Sequence, residues 1–249
     1  MGSATARNIK LVCAYDGTDF CGFQRQSNGR AVQEVLERNL GRVLGVQVCV
    51  QASGRTDSGA HALGQVVSFQ TSSSIPSEAL CRALNSLLPA DVRVVGAEDV
   101  NDGFHARYSS RSKRYEYRIW NSPFEDVFLR RFSWCVRQNL SEHAIGRAAA
   151  QLVGVHDFGS VEAAGSPRGS SVRNVTELAC SREGKLVTVT IAANGFLYKM
   201  VRNIVGCLAE VGMGRLSTED TSRLLEARDR SAGPPTAPAK GLFLVEVEY

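Results

Sequence analysis

Apolar residues alternate and then recur at helical spacing in a set order along the first part of the chain, and that order limits the fold more than any other property. Ile9-Lys10-Leu11-Val12-Cys13-Ala14-Tyr15 reads as a strand closed by Asp16-Gly17-Thr18-Asp19. Val32, Val35, Leu36, Leu40, Val43 and Leu44 then repeat at helical spacing, predicting an amphipathic helix over 31–44 with one buried face. Strands over 46–50 and 65–69 follow, then a helix over 77–88 with Leu80, Ala83, Leu84 and Leu87 inward, and a strand over 92–97. Strand, helix, strand, strand, helix, strand predicts an α+β layer with both helices on one face of a sheet.

The stretch 101–114, Asn-Asp-Gly-Phe-His-Ala-Arg-Tyr-Ser-Ser-Arg-Ser-Lys-Arg, shifts in composition and marks a crossover into a second half, so domains over 1–104 and 105–249 are expected. The theme then repeats. Strands are predicted over 115–120, 172–180 and 186–193, the last two joined as a hairpin by Arg182-Glu183-Gly184-Lys185, and helices over 142–152 and 196–210. His156-Asp157-Phe158 ends a helix or anchors a loop, and Ser217 backed by Asp220 caps a short helix from Leu216. Gly233-Pro234-Pro235-Thr236-Ala237-Pro238 is neither helix nor central strand and leads into a last strand over 243–247. Two similar halves, each with a mixed or antiparallel sheet and helices on one face, could leave a cleft between them, a favoured place for a site.

Composition narrows the function classes. No apolar run in the 249 residues approaches the roughly 18 that suggest a membrane span. Met1-Gly2-Ser3-Ala4-Thr5-Ala6-Arg7 lacks the apolar segment of a secretory signal, so a cytoplasmic location and no membrane partner are expected. The seven cysteines, at 13, 21, 49, 81, 135, 180 and 207, form no Cys-x-x-Cys pair and point to reduced thiols rather than a disulfide framework or a zinc site. No Gly-x-Gly-x-x-Gly or P-loop lysine pattern supports a nucleotide cofactor. The net charge is only +4, but the basic residues divide into 24 Arg and 5 Lys, and the guanidinium fork suits phosphates and stacks on bases, a lean toward RNA.

One carboxylate stands out. Gly54-Arg55-Thr56-Asp57-Ser58-Gly59-Ala60-His61-Ala62 sets Asp57 two residues after Arg55, among small residues that let a ligand approach the backbone. The same spacing allows a tight turn in which Arg55 and Asp57 form a surface ion pair. Arg202 sits within the apolar run of the 196–210 helix, either snorkelling to the surface or holding a buried anion. Tyr115 and Tyr117 share one face of their strand, as core aromatics or as a base-stacking, proton-exchanging pair at a cleft. Basic residues at 107, 111, 113, 114 and 118 gather around Tyr108 and Tyr115, as on an RNA-facing edge or on a solvated strand start.

These motifs together resemble the tRNA pseudouridine synthase A (TruA) family. The resemblance runs in order through Tyr15-Asp16-Gly17-Thr18-Asp19-Phe20-Cys21-Gly22-Phe23-Gln24, the Asp57 loop, Asp102-Gly103-Phe104-His105-Ala106-Arg107 and Lys113-Arg114-Tyr115-Glu116-Tyr117. It continues through His156-Asp157-Phe158, the stretch from Asn194 to Gly206 and Gly241-Leu242-Phe243-Leu244-Val245. The departures are small: Ser58, Ala60 and Lys240 stand where other residues are frequent in the family. What the resemblance implies is a homodimeric enzyme that isomerises uridine to pseudouridine at tRNA positions 38, 39 and 40 without metal or organic cofactor, its two α+β domains meeting around a basic cleft. It implies Asp57 as catalytic aspartate, Tyr115 as active-site tyrosine and Arg202 as basic partner of the aspartate. Arg55 matches the residue that helps the target nucleotide leave the stack; Gln24, Arg25, His61, Arg107, Arg111, Lys113, Arg114 and Lys199 are the expected RNA-contact or base-flipping set. A non-catalytic RNA-binding module would lose Asp57 or Arg202, and both are present; a related synthase with different or broader position specificity is the alternative.

Overall fold

The computed structural model of the chain describes residues 6–27, 29–163, 170–227 and 235–249. They divide into two compact units, one reaching to Arg111 and taking back Leu244–Tyr249, the other spanning Ser112–Phe243.

In the first unit, β1 (Arg7–Tyr15) lies antiparallel between β3 (His61–Thr71) and β4 (Val92–Val100). Ile9, Leu11 and Cys13 are fully buried and Tyr15 nearly so, which is the alternation the sequence displays. The short β2 (Gln51–Ala52) pairs with the other side of β3 and, further along, so does β10 (Leu242–Glu248), whose residues from Leu244 onward belong to this unit. Helix α1 (Val32–Leu44) turns Val32, Val35, Leu36 and Leu40 inward and ends on Gly45 in the left-handed conformation. Helix α2 (Ser77–Leu87) buries Leu80 and Leu84 and packs on β4 and α1, so the helices cover one face of the sheet.

The expected strand over 46–50 does not form. Val46 is 55% exposed, and the Val50 amide donates to Glu37 Oε1 at 3.0 Å instead of to a ladder, which leaves only Gln51 and Ala52 paired with Ser68 and Val67. Glu37 is buried because it also accepts from Gln33 Nε2 at 2.9 Å and from the Arg25 guanidinium.

The second unit is built on β5 (Ser112–Asn121), β9 (Leu186–Ala193), β8 (Val172–Glu183) and β7 (Gly154–Asp157), antiparallel in that order, with β6 (Trp134–Val136) parallel to β5. The sheet is therefore mixed. The β8–β9 hairpin closes through Gly184 and Lys185, shorter than the expected four-residue connection, with Gly184 at φ 59°. His156 belongs to β7 rather than to a helix end or loop. Helices α3 (Glu142–Ala150), α4 (Met200–Gly212) and α5 (Thr218–Ala227) pack together, α3 also against β8. As the sequence indicates, Ser217 and Asp220 exchange hydrogen bonds of 2.8 Å and 3.2 Å at the start of α5. Gly233 and Pro234 lie outside the described residues; 235–238 carry no helix or strand.

Helix α4 begins at Met200, four residues later than the apolar period suggests, because Lys199 takes φ 59°, ψ 10°. Lys199 is the one non-glycine residue with positive φ among the described residues. That conformation costs about 1–2 kcal/mol for a side chain with a Cβ.

Candidate active site

Asp57 sits on the loop between β2 and β3, and hydrogen bonds fix the chain on both sides of it. Before it, the Ser53 amide donates to Val66 O at 2.8 Å, Gln65 Nε2 donates to Gly54 O at 2.9 Å, and Thr56 Oγ1 shares a 2.8 Å bond with the Tyr15 hydroxyl. After it, the Gly59 amide and the Ser58 hydroxyl both donate to Phe20 O, at 3.3 Å and 3.2 Å, and the Ala60 amide closes a turn onto Asp57 O at 3.1 Å. Each such bond contributes about 1 kcal/mol net, and several acting on eight residues leave the loop little freedom. Thr56 and Ala60 point inward while Asp57 stays half-buried between them and Arg55 is exposed. The carboxylate is thus held by its neighbours' anchors, at the rim rather than in the core.

Two glycines make this possible. A Cβ on Gly17 would lie 1.8 Å from Ala60 O, and Gly22, at φ 115°, brings the chain within reach of Thr56 O, which accepts from the Phe23 amide at 3.2 Å. Burial pushes the Tyr15 phenol well above its ordinary range, so it keeps its proton and its bond to Thr56. Gln65 is fully buried and uses both ends of its amide, its Oε1 accepting from Ser53 Oγ at 2.7 Å. Sequence reasoning passed over Gln65 and Tyr15 as loop-setting residues; the available signal was an amide within the apolar run Gln65-Val66-Val67.

The expected RNA-contact residues of this unit separate into two kinds. Gln24, Arg25, Arg107 and Arg111 are exposed, Arg25 in an ion pair with Glu37. His61 is only 1% exposed and does not reach solvent; the Gly17 amide donates to its Nδ1 at 3.0 Å, with Asp16 Oδ1 3.2 Å from the same nitrogen. In this structure it anchors the loop.

In the second unit, Tyr115 is 7% exposed, opposite Ile191 on β9, with its ring edge-on to Phe196 at 4.9 Å. Tyr117 is fully buried and donates to Pro238 O at 2.6 Å. Burial raises its phenol far above the ordinary range, against a smaller opposing pull from the Arg202 cation. Arg202 is half-buried; its Nε donates to Ala237 O at 2.7 Å, and its own carbonyl accepts from the Ala237 amide at 3.1 Å. These bonds tie α4 to the segment before β10 and orient the guanidinium. Arg114 is ion-paired with Glu177 at 2.5 Å, Lys113 is half-buried, and Lys199 holds its ammonium 5.1 Å from the Tyr198 ring. The strained backbone at Lys199 falls in the same segment as Arg202, as strain often does at working sites.

Among the described residues, no group of three or more His, Cys, Asp or Glu side chains could hold a metal ion, and no helix is long and apolar enough to cross a membrane.

Comparison with known proteins gives one answer along the chain. A family model described as tRNA pseudouridine synthase matches residues 11–109 and 148–249. A protein called tRNA pseudouridine synthase A from Acetivibrio thermocellus is 43% identical over 243 residues, 98% of this chain and 100% of the relative. Proteins of the same description from Halalkalibacterium halodurans and Moorella thermoacetica are 48% and 46% identical, over 95% and 97% of this chain and 90% and 99% of the relatives.

Proposed function

The chain belongs to the tRNA pseudouridine synthase A family, and from that premise we propose that it isomerises uridine to pseudouridine at positions 38, 39 and 40 of the tRNA anticodon stem-loop. The observation that carries the reading to a residue is the pinned loop, which fixes the backbone on both sides of a half-buried Asp57. In the reaction, uracil detaches from C1′, turns, and rejoins through C5, which then loses its proton. That sequence needs a nucleophilic carboxylate and a pocket that retains the freed base. Asp57 of the 1–104 domain is the proposed nucleophile. Tyr115 and Arg202 of the 105–249 domain are its proposed partners in the chemistry, with Arg202 keeping the carboxylate ionised once water is excluded. No metal or organic cofactor enters this scheme.

The target nucleotide must leave its stack, at a cost of a few kcal/mol that phosphate contacts offset. Gln24, Arg25, Arg107, Arg111, Lys113, Arg114 and Lys199 supply the proposed contacts, and Arg55, exposed and two residues from Asp57, braces the vacated space. Arg55→Ala is expected to slow turnover of structured tRNA by about 10²-fold and that of a pre-flipped analogue far less; equal losses sink the bracing role.

Release of tritium from tRNA labelled at uracil C5, with mapping of the product, tests the function as a whole. Product outside 38–40 would show the different or broader specificity of a related synthase. The enzyme is proposed to act in the cytoplasm as a homodimer, and exposed Phe124, Val127 and Phe128 give its second unit an apolar patch suited to a partner copy. Sedimentation at micromolar concentration is expected to show a species near twice 26.9 kDa; one that stays at 26.9 kDa contradicts the dimer.

A further inference from the structure

We propose that Tyr108 is a stacking platform for an unpaired base of the substrate RNA, presented by a loop that the first unit holds rigid. The inference rests on the RNA substrate proposed above and adds to it a residue and a mode of recognition. Tyr108 is 77% exposed, in a segment that is otherwise tightly held. Asn8 Nδ2 donates to Asn101 O at 3.0 Å and to Phe104 O at 2.8 Å, Ser68 Oγ accepts from the Ala106 amide at 3.1 Å, and the Tyr249 hydroxyl donates to Ala106 O at 2.7 Å. The Phe104 and Tyr249 rings pack at 4.8 Å with the Lys10 ammonium 5.0 Å from the latter, and the Arg111 amide donates to Glu248 O at 2.9 Å.

Within that frame His105 organises the tip. Its Nδ1 accepts from the amides of Arg107 and Tyr108 at 3.1 Å and 3.4 Å, its own amide donates to Ser109 Oγ at 3.0 Å, and its carbonyl accepts from the Ser109 amide at 2.9 Å. The imidazole then lies against the Tyr108 ring, centroids 4.4 Å apart, and the Arg107 guanidinium stands 5.6 Å from it. A loose loop would fold such a ring back onto apolar surface; here the anchors at Ala106 and Arg111 hold it out in water. An aromatic face beside the exposed Arg107 guanidinium, with the exposed cation Arg111 three residues after Tyr108 along the chain, fits a base attached to a phosphate backbone better than an apolar protein partner.

The experiment measures binding of an anticodon stem-loop to the full chain by fluorescence anisotropy, for wild type, Tyr108→Ala and Tyr108→Trp, with each unpaired nucleotide made abasic in turn. Tyr108→Ala is expected to weaken binding about tenfold, and Tyr108→Trp to keep wild-type affinity. At one position the abasic change should weaken the wild type by the same factor and leave the alanine variant unaffected. An alanine variant that binds like wild type, or abasic losses equal in both proteins at every position, overturns the platform while leaving the enzyme's substrate intact. A wild type that does not bind the stem-loop overturns the substrate reading, and the platform with it.

Discussion

Asp57→Asn is expected to lower tritium release from tRNA by at least about 10⁴-fold while binding stays within a few-fold of wild type. The two side chains have nearly the same shape, and the loop has anchors at Thr56 on Tyr15, Gly54 on Gln65, and Ser58 and Gly59 on Phe20 that the substitution leaves in place. Stability should therefore remain within about 1 kcal/mol of wild type in urea unfolding. What is lost is the charge of the proposed nucleophile, since an amide oxygen cannot form and release a bond to the nucleoside in the same way. Release at an undiminished rate from this variant, or from Asp57→Ala, would remove Asp57 from the chemistry and leave the loop as a binding element alone.

Gly17→Ala should damage the same step from a distance. The new Cβ would lie 1.8 Å from the Ala60 carbonyl oxygen and 2.6 Å from its carbon, both backbone atoms, so no side chain can swing aside. Relief requires the Asp57 loop and the turn after β1 to separate by more than about 1 Å, a displacement that costs on the order of 10²-fold when it misplaces a reacting group. It would also stretch the bond from the Gly17 amide to His61 and lower stability by about 3 kcal/mol. Gly146→Ala, on α3 where nothing lies within 4 Å of the added carbon, is the control and should be neutral or slightly stabilising. Wild-type turnover in Gly17→Ala would show that the loop's position is not set by this contact.

β1 and α1 came through in the sequence because each has one wet and one dry face, and the fully buried 65–69 stretch of β3 came through as a short run rich in Val and Phe. β1 alternates because its other face meets a half-exposed row, and α1 shows its period because only Val32, Val35, Leu36 and Leu40 go fully inward among its apolar residues. The false strand at 46–50 has the right composition, but its backbone bonds are diverted to the side chain of Glu37, which no local pattern announces. α4 is buried almost all round, so its apolar period could not mark its start, and the left-handed turn at Lys199 did. At the site, Asp57 and Arg55 were visible as charges among small residues. The burial of His61 was not, because a ring that accepts from a distant amide looks, in sequence, like any polar residue of a loop. The return of residues 244–249 to the first unit is a pairing across the whole second unit and leaves no short-range trace.

That return has a consequence for how the molecule is made. The second unit is one uninterrupted stretch, Ser112–Phe243, whereas the first lacks a strand and the Tyr249 clasp on Ala106 until residues 244–249 have been translated. At roughly 5–20 residues per second, that wait after Arg111 is on the order of ten seconds. Although residues up to Arg111 are translated before the second unit, the half that carries Asp57 is completed only after Ser112–Phe243 has been made.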